Sequence, residues 1–252
     1  MRAFFVGGGR GTSSWAERAG FAATRWTVVL AAAGERSGGQ RRRALEELAQ
    51  VYWFPLYSYI RRRGHGAAQA EDLTQGFFAR LLEKESLAAV DREKGRFRSF
   101  LLASVKNFLA NEWDKSQAAK RGGGRTIIAW DGLEAEARYA LEPADELTPE
   151  RLFERRWALA VLGQVLARLR QEYGERGRAD LFEAVQCCLT GTDERASHGE
   201  TGRQLGMSEG AVKMATSRLR KRYRELLREE IAGTVDSPEQ VAEEIRFLLD
   251  CL

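Results

Sequence analysis

The chain is poor in the residues that build metal sites and disulfide frameworks, with three cysteines and two histidines among 252 residues. Cys187 and Cys188 are adjacent, Cys251 lies near the end, and His65 and His198 are far apart in sequence. This arrangement matches neither a zinc-ligand spacing nor a set of paired disulfides. We therefore expect no metal, no cofactor, and cysteines that stay reduced, as they do in cytoplasmic proteins.

Long apolar runs and alternating apolar–polar segments are also missing. No apolar stretch approaches the roughly 20 residues that span a bilayer. The short run Phe4–Val6 breaks into Gly7–Gly9, so it lacks the core of a signal peptide. Almost no segment alternates with a period of two residues, which leaves little room for strands. The sequence predicts an all-α, cytoplasmic protein without a membrane partner.

Catalytic patterns are equally scarce. No nucleophile–base pair, cleft carboxylate pair or metal-ligand cluster has the spacing that bond chemistry requires. The glycines Gly7, Gly9 and Gly11 only superficially resemble a phosphate loop, because no strand precedes them and no helix follows closely. We expect that the chain is not an enzyme.

Positive charge is present in clusters. The net charge is only +4, with 40 Lys and Arg against 36 Asp and Glu, so the chain is not a polycation. Its basic residues gather at Arg41–Arg43, Arg61–Arg63, Lys115–Arg125 and Lys213–Arg228. Local basic patches on a nearly neutral chain suit a protein that meets nucleic acid on some faces and protein on others.

The segment 200–228 has the pattern of a helix-turn-helix. Gly206 can adopt the positive φ that ends a first helix, and Ser208 can cap the N-terminus of a second. In the second helix an apolar stripe recurs at steps of three and four: Val212, Ala215, Leu219, Tyr223 and Leu226. The opposite face is basic, with Lys213, Met214, Ser217, Arg220, Lys221, Arg224 and Arg228, flanked by Arg218 and Arg222. A solvated bundle helix normally mixes the two charge signs, so the pattern favours DNA binding.

The periodicity predicts two small helical domains joined by an acidic linker, the second containing the helix-turn-helix. The apolar periodicity predicts helices at about 41–63, 67–85, 97–120 and 178–189. Pro55 is expected to kink or split the first of these helices, and Thr148 with Pro149 to begin the second domain. The predicted segments are a disordered leader (1–20), a first domain (21–121), the linker (122–148), a second domain (149–232) and a C-terminal helical extension (233–252). We expect the extension to cover apolar surface of the second domain, with recruitment of a regulator as the alternative.

Three segments, in this order, resemble bacterial sigma factors of the sigma-70 family, in the extracytoplasmic-function-like group. Ala70–Leu81 is similar to the helix that binds the polymerase clamp, and Phe97–Asn107 to the helix that meets the −10 promoter element. Leu205–Lys213 is similar to the helix-turn-helix that binds the −35 element. The resemblance covers about residues 25–232.

The resemblance implies three sets of contact residues. The polymerase-binding set is Glu71, Asp72, Gln75 and Phe78. The −10 set is Lys106, Asn107, Asn111, Trp113, Lys115, Lys120 and Arg121. The −35 set is Ser208, Glu209, Lys213, Met214, Ser217, Arg218, Arg220, Lys221 and Arg222.

Ordinary structural roles compete with some of these assignments. Acidic residues near a helix N-terminus favour the helix dipole, which explains Glu71 and Asp72 equally well. Trp113 is a candidate for stacking on an unpaired base, a contact worth about 1–3 kcal/mol. Phe108 falls in the apolar stripe of its helix, so core packing is its expected role.

The chain departs from the family pattern in the helix-turn-helix. Thr201-Gly202 stands where the family usually has Ile-Ala, and Gly costs a helix about 1 kcal/mol relative to Ala. Met214-Ala215 replaces the usual Ser-Arg. We therefore expect phosphate contacts by Arg218, Arg220 and Arg222 to contribute more to binding than direct base reading.

The predicted function is promoter selection for core RNA polymerase, with promoter DNA and an anti-sigma factor or other regulator as further partners. A conventional dimeric helix-turn-helix regulator that binds palindromic operator DNA without polymerase is the alternative. A helical adaptor would leave the basic face unexplained.

Overall fold

The computed structural model describes residues 38–81, 96–118, 132–140, 147–190, 198–235 and 237–252. Every regular element in these ranges is a helix, which confirms the predicted all-α class. None of the helices in these ranges combines the length and apolar character needed to cross a membrane. The predicted leader, the end of the second predicted helix and most of the predicted linker fall outside the described ranges.

Ten helices follow one another in the described ranges. In chain order they are α1 (Gly38–Arg62), α2 (Ala67–Leu81), α3 (Phe97–Ala118), α4 (Gly132–Ala140), α5 (Pro149–Glu175), α6 (Ala179–Val185), α7 (Cys187–Thr190), α8 (His198–Leu205), α9 (Glu209–Ala232) and α10 (Pro238–Asp250).

Helix α5 begins where the sequence indicates. The hydroxyl of Thr148 accepts a hydrogen bond from the backbone N–H of Arg151 at 3.3 Å, and Pro149 occupies the first turn. Pro fits there because its missing N–H would have no partner inside the helix. The local signals of cap and proline therefore place this boundary correctly.

Three expectations about helix boundaries need correction. Helix α1 runs through Pro55 as one element, so it is not split there, while the expected kink stays a prediction. The helix expected from Arg178 to Leu189 is two short helices, α6 and α7, with Gln186 between them. The predicted linker contains the helix α4, whose nine residues gave too few turns for periodicity to detect.

The hydrophobic core lies along α1 and α5, which pack against each other over much of their lengths. Helices α2 and α4 also contact α1, and α9 packs on α5. The aromatic residues Tyr52, Tyr57 and Tyr59 of α1 and Phe153 and Trp157 of α5 are almost completely buried. The two predicted domains therefore lie against one another in this structure, while their boundaries stay a prediction.

Helix α10 packs on α9 and α5, with Leu248 inaccessible to solvent. This agrees with its expected role as a cover for apolar surface. It also reaches the beginning of α3: the carboxylate of Glu244, itself inaccessible to solvent, pairs with the guanidinium of Arg98 at 2.7 Å. The extension thus contacts both halves of the chain.

Candidate nucleic-acid interface

The helix-turn-helix forms from α8, a tight turn and α9. Gly206 has a φ of +64°, and the Ser208 hydroxyl accepts a hydrogen bond from the backbone N–H of Ala211 at 3.2 Å. Both features follow from the sequence, because glycine tolerates a positive φ and serine is a preferred N-cap. They fix the angle at which α9 leaves the turn.

The inner face of α9 is the apolar stripe that the periodicity predicts. Val212, Ala215, Leu219 and Leu226 are buried. Tyr223 is half-buried; its hydroxyl donates to the carbonyl oxygen of Leu162 at 3.4 Å, and burial raises its pKa to about 12. These contacts anchor α9 on α5 and leave its other face outward.

The outer face of α9 carries most of the predicted −35 set. The exposed members of that set are Ser208, Glu209, Lys213, Met214, Ser217, Arg218, Arg220 and Lys221. Met214 is 61% exposed, which is unusual for an apolar side chain and leaves it available to a partner surface.

Several of these side chains already have partners. Lys213 pairs with Glu209 at 2.7 Å, and the hydrogen bond from its ammonium lowers the pKa of the Glu209 carboxyl. Arg220 donates from Nε and Nη2 to the backbone carbonyl of Cys188, at 3.2 and 3.0 Å. A phosphate that binds Lys213 must therefore compete with the Glu209 carboxylate.

Arg222 does not belong to the exposed face, and its predicted role in phosphate binding needs correction. Its Nη2 atom lies 2.6 Å from the Glu172 carboxylate of α5, and its Nη1 lies 3.4 Å from both Glu225 and Glu229. Hydrogen bonding to Glu172 is the main reason that the pKa of Arg222 is raised. Arg222 ties α9 to α5 instead of facing DNA.

Helix α3 carries five of the seven residues of the predicted −10 set. Lys106, Asn107 and Trp113 are exposed, and Trp113 has 64% of its side chain accessible. Asn111 is exposed beside them. The side chain of Lys115, together with Lys120 and Arg121, lies outside the described residues, so those assignments stay predictions. Phe108 is 7% exposed and belongs to the core, as expected.

A cavity of about 200 Å³ opens between α2 and α3. Its polar lining combines two predicted residues, Asn107 and Asn111, with Arg80 of α2, which the sequence reasoning missed. The apolar lining consists of Phe77, Leu81, Phe100 and Phe108, with Ser104 beside them. An amide pair, a guanidinium and aromatic rings together offer hydrogen bonds and apolar contact to a planar polar ligand. Arg80 lies three residues after Phe77 on α2, and residues at this spacing share one face of a helix. The sequence therefore contained a signal that Arg80 lies on the same side of α2 as Phe77.

Helix α2 places the polymerase-binding set in two environments. Asp72 is exposed, while Glu71 and Gln75 are partly buried and joined by a 3.3 Å hydrogen bond from the Gln75 amide to the Glu71 carboxylate. Phe78 is 2% exposed, so its assignment to a partner surface needs correction. It packs in the core because α2 is covered on more than one side by α1 and α3.

Metal-binding clusters of His, Cys, Asp and Glu do not occur among the described residues. The three cysteines are free and partly buried. Burial is the main reason that the pKa of the Cys251 thiol is raised to about 11.

Comparison with known proteins matches one part of the chain. Residues 48–119 fit the family model of sigma-70 region 2, which takes in most of α1 and all of α2 and α3. No curated protein and no solved structure matches the chain. Sigma-70 proteins are non-catalytic initiation factors that act in promoter-directed transcription by RNA polymerase. Residues 48–119 therefore match sigma-70 region 2, and this match supports a sigma factor of the sigma-70 family.

Proposed function

We propose that the chain binds core RNA polymerase through α2 and directs it to promoters by contacting the −10 element with α3 and the −35 element with α9. The match of residues 48–119 to sigma-70 region 2 carries the proposal for α2 and α3, because it covers both helices. The proposal for α9 rests on the helix-turn-helix geometry and the basic outer face of that helix. Membership of the extracytoplasmic-function-like group and an anti-sigma partner stay predictions.

The polymerase contact is assigned to the exposed edge of α2. Asp72 extends into solvent there, and the Glu71–Gln75 pair lies beside it. Exposed carboxylates on a rigid helix steer and orient a basic partner surface. The buried Phe77 and Phe78 hold the helix in place from below.

The −10 contact is assigned to α3 and the cavity beside it. Trp113 offers an exposed aromatic ring, and Asn107, Asn111 and Arg80 offer hydrogen-bond donors at the cavity. Unpaired bases are bound by this combination of stacking and polar contacts, at about 1–3 kcal/mol per stacked base. Lys106 adds a positive charge on the same helix.

The −35 contact is assigned to the outer face of α9. Lys213, Arg218, Arg220 and Lys221 supply positive charge, and Ser208 stands at the N-terminus of the helix. A recognition helix contacts base edges with its N-terminal residues and phosphates with basic residues farther along. Because Arg222 is held by Glu172, the phosphate contacts fall to the remaining basic residues.

Co-purification of the tagged chain with bacterial core RNA polymerase tests the proposal. We expect stoichiometric binding by the wild-type chain and clear loss of binding by Asp72→Ala. Asp180→Ala is the matched control, since Asp180 is an exposed helical aspartate of α6, far along the chain from α2. Circular dichroism of both variants verifies that α2 stays folded.

Two results would contradict the proposal. One is equal polymerase binding by wild type and Asp72→Ala, which would remove α2 from the interface. The other is absence of polymerase binding together with stable dimerisation and tight binding to palindromic duplex DNA. That second result would instead identify a conventional helix-turn-helix regulator.

A further inference from the structure

The beginning of α3 is held by acidic residues from the C-terminal half of the chain. Arg98 lies 2.7 Å from Glu244 of α10 and 3.1 Å from Glu154 of α5. Arg96 lies 2.9 Å from Glu244 and 3.2 Å from Glu243. Two basic residues at the start of α3 are thus paired with carboxylates from two other helices.

Apolar and backbone contacts complete this attachment. The guanidinium of Arg98 stacks over the ring of Phe247 at 3.6 Å from its centroid. The backbone N–H of Phe97, the first residue of α3, donates to the carbonyl oxygen of Thr234 at 3.1 Å. An orphan N–H of the helix is therefore satisfied by the segment that joins α9 to α10.

The C-terminal half of the chain also forms an ion pair with a basic residue in the middle of α3. Lys106 Nζ lies 2.9 Å from the carboxylate of Glu150 in the first turn of α5. The hydrogen bond between them raises the pKa of Lys106 and lowers that of Glu150. Lys106 belongs to the face of α3 that we assign to −10 DNA.

We propose that α10 and the first two turns of α5 form an intramolecular latch on α3, which competes with nucleic acid for the basic residues of that helix. The latch consists of Glu150, Glu154, Glu243, Glu244 and Phe247. This inference rests on the proposed assignment of α3 to single-stranded promoter DNA.

The chemistry of the latch suits a contact that opens. Apolar residues of the same volume would hold the two halves at least as firmly as a buried ion pair does. An ionic contact, by contrast, responds to competing anions and to salt. Nucleic acid presents many closely spaced phosphates, whereas Glu150 presents one carboxylate, so nucleic acid can displace Glu150 from Lys106.

The first test removes the Glu150 carboxylate. Glu150→Gln is expected to bind a labelled single-stranded oligonucleotide about two- to fivefold more tightly than wild type in fluorescence anisotropy, the range for losing one exposed ion pair. Glu183→Gln is the matched control, because it changes the net charge equally and removes the exposed pair with Arg170 at 2.7 Å. The gain must also vanish in the Lys106→Gln background.

The second test measures opening without relying on DNA affinity. Cys251, half-buried at the end of α10, is to be labelled with maleimide in the full chain and quantified by peptide mass spectrometry. Because the Glu244 carboxylate contributes to the raised pKa of the Cys251 thiol, each labelling rate is divided by the thiolate fraction of Cys251 measured for that protein. After this correction, Glu244→Gln is expected to speed labelling of Cys251 several-fold while Cys187 and Cys188 react as in wild type. Saturating oligonucleotide is expected to speed it in the wild-type chain.

Arg96→Gln provides a second variant in case Glu244→Gln does not fold, because Arg96 is partly exposed and pairs with the outer side of the latch. It should also accelerate Cys251 labelling. If all three cysteines of a variant react faster, that variant is unfolded, and the test then uses the other of the two variants.

The outcomes separate the latch from the proposed function. Equal oligonucleotide affinity of the Glu150→Gln and Glu183→Gln variants would overturn the latch, as would Cys251 labelling that neither variant nor oligonucleotide changes. Polymerase binding lost through Asp72→Ala would still stand in that case. Conversely, a latch that opens in a chain that never binds polymerase would refute the proposed function alone.

Discussion

The backbone N–H of Met207 donates a hydrogen bond to the carbonyl oxygen of Gly202 at 2.8 Å, which brings the turn of the helix-turn-helix directly against α8. A β-carbon at Gly202 would lie 2.5 Å from the carbonyl oxygen of Met207. Real β-carbons do not approach backbone that closely. The glycine that stands in place of the usual alanine thus has a structural reason, because the turn packs against Gly202 too closely to admit a β-carbon.

Gly202→Ala is therefore expected to destabilise the protein, although alanine is the better helix former. Overpacking costs about 1–3 kcal/mol, whereas the gain in helix propensity is about 1 kcal/mol. Urea unfolding followed by circular dichroism measures the net change. Gly163→Ala in α5 is the control, because nothing lies within 4 Å of its added β-carbon and we expect stabilisation. Stabilisation by both substitutions would show that the turn relaxes freely.

Local signals account for the parts of the site that the sequence predicted. Gly206 and Ser208 act within the turn itself, and the buried stripe of α9 follows from the helical period alone. For such features the partner groups are neighbours in sequence. Their geometry can be derived from residue type and spacing.

Long-range contacts account for what the sequence did not predict. Arg222 has the same type and spacing as the exposed basic residues, yet Glu172, its principal partner, stands 50 positions earlier. Phe78 lies in a motif that resembles a partner surface, but the packing of three helices buries it. Periodicity identifies the faces of a helix without identifying which other helix covers each face.

Replacement of Arg222 by Met should destabilise the fold without a specific loss of DNA contacts. It leaves the carboxylates of Glu172, Glu225 and Glu229 without their shared guanidinium. Hydrogen bonds to charged groups contribute about 1.5–3 kcal/mol each, so we expect a loss in that range in urea unfolding. Arg170→Met, which removes an exposed pair with Glu183, should cost no more than about 1 kcal/mol.

The effect of Arg222→Met should depend on pH. Hydrogen bonding from Arg222 lowers the pKa of Glu172 in the folded protein below its ordinary value of 4.5. A depressed carboxyl pKa stabilises the fold above pH 4.5 and loses that contribution as the pH falls through the folded-state pKa. The stability difference between wild type and variant should therefore shrink on acidification. A difference that stays constant from pH 7 to pH 3 would contradict this account.

Lys213→Ala should weaken binding to duplex DNA that carries a −35 element and should reduce the slope of log K against log salt by about 1, as expected for one lost phosphate contact. Arg222→Met, tested under conditions where it is folded, should keep the wild-type slope. Anisotropy titrations at four salt concentrations measure both. If Lys213→Ala keeps the wild-type slope and Arg222→Met lowers it, the assignment of inner and outer faces on α9 is reversed.

The carboxylate of Glu136 joins helix α4 to α1 by hydrogen bonds. Glu136 accepts hydrogen bonds from Tyr57 Oη at 2.5 Å and from Arg61 Nε at 2.9 Å, and Arg61 is the main reason that its pKa is lowered. Glu136→Gln removes this charge, at a cost of about 1 kcal/mol for a partly exposed pair. We expect faster hydrogen exchange across 132–140, by about fivefold, with exchange in α5 unchanged.

The same attachment should weaken in acid, because protonation of Glu136 removes the charge that Arg61 pairs with. Its folded-state pKa is depressed, so the stabilisation is complete above the ordinary value of 4.5 and is lost below the folded-state pKa. Wild type should therefore approach the Glu136→Gln exchange rates as the pH falls, after correction for intrinsic exchange. Since the variant has no titrating group at this position, its corrected rates should stay nearly level. If the corrected exchange rates of wild type and variant instead change in parallel over the whole pH range, the Glu136 carboxylate does not contribute to holding α4 on α1.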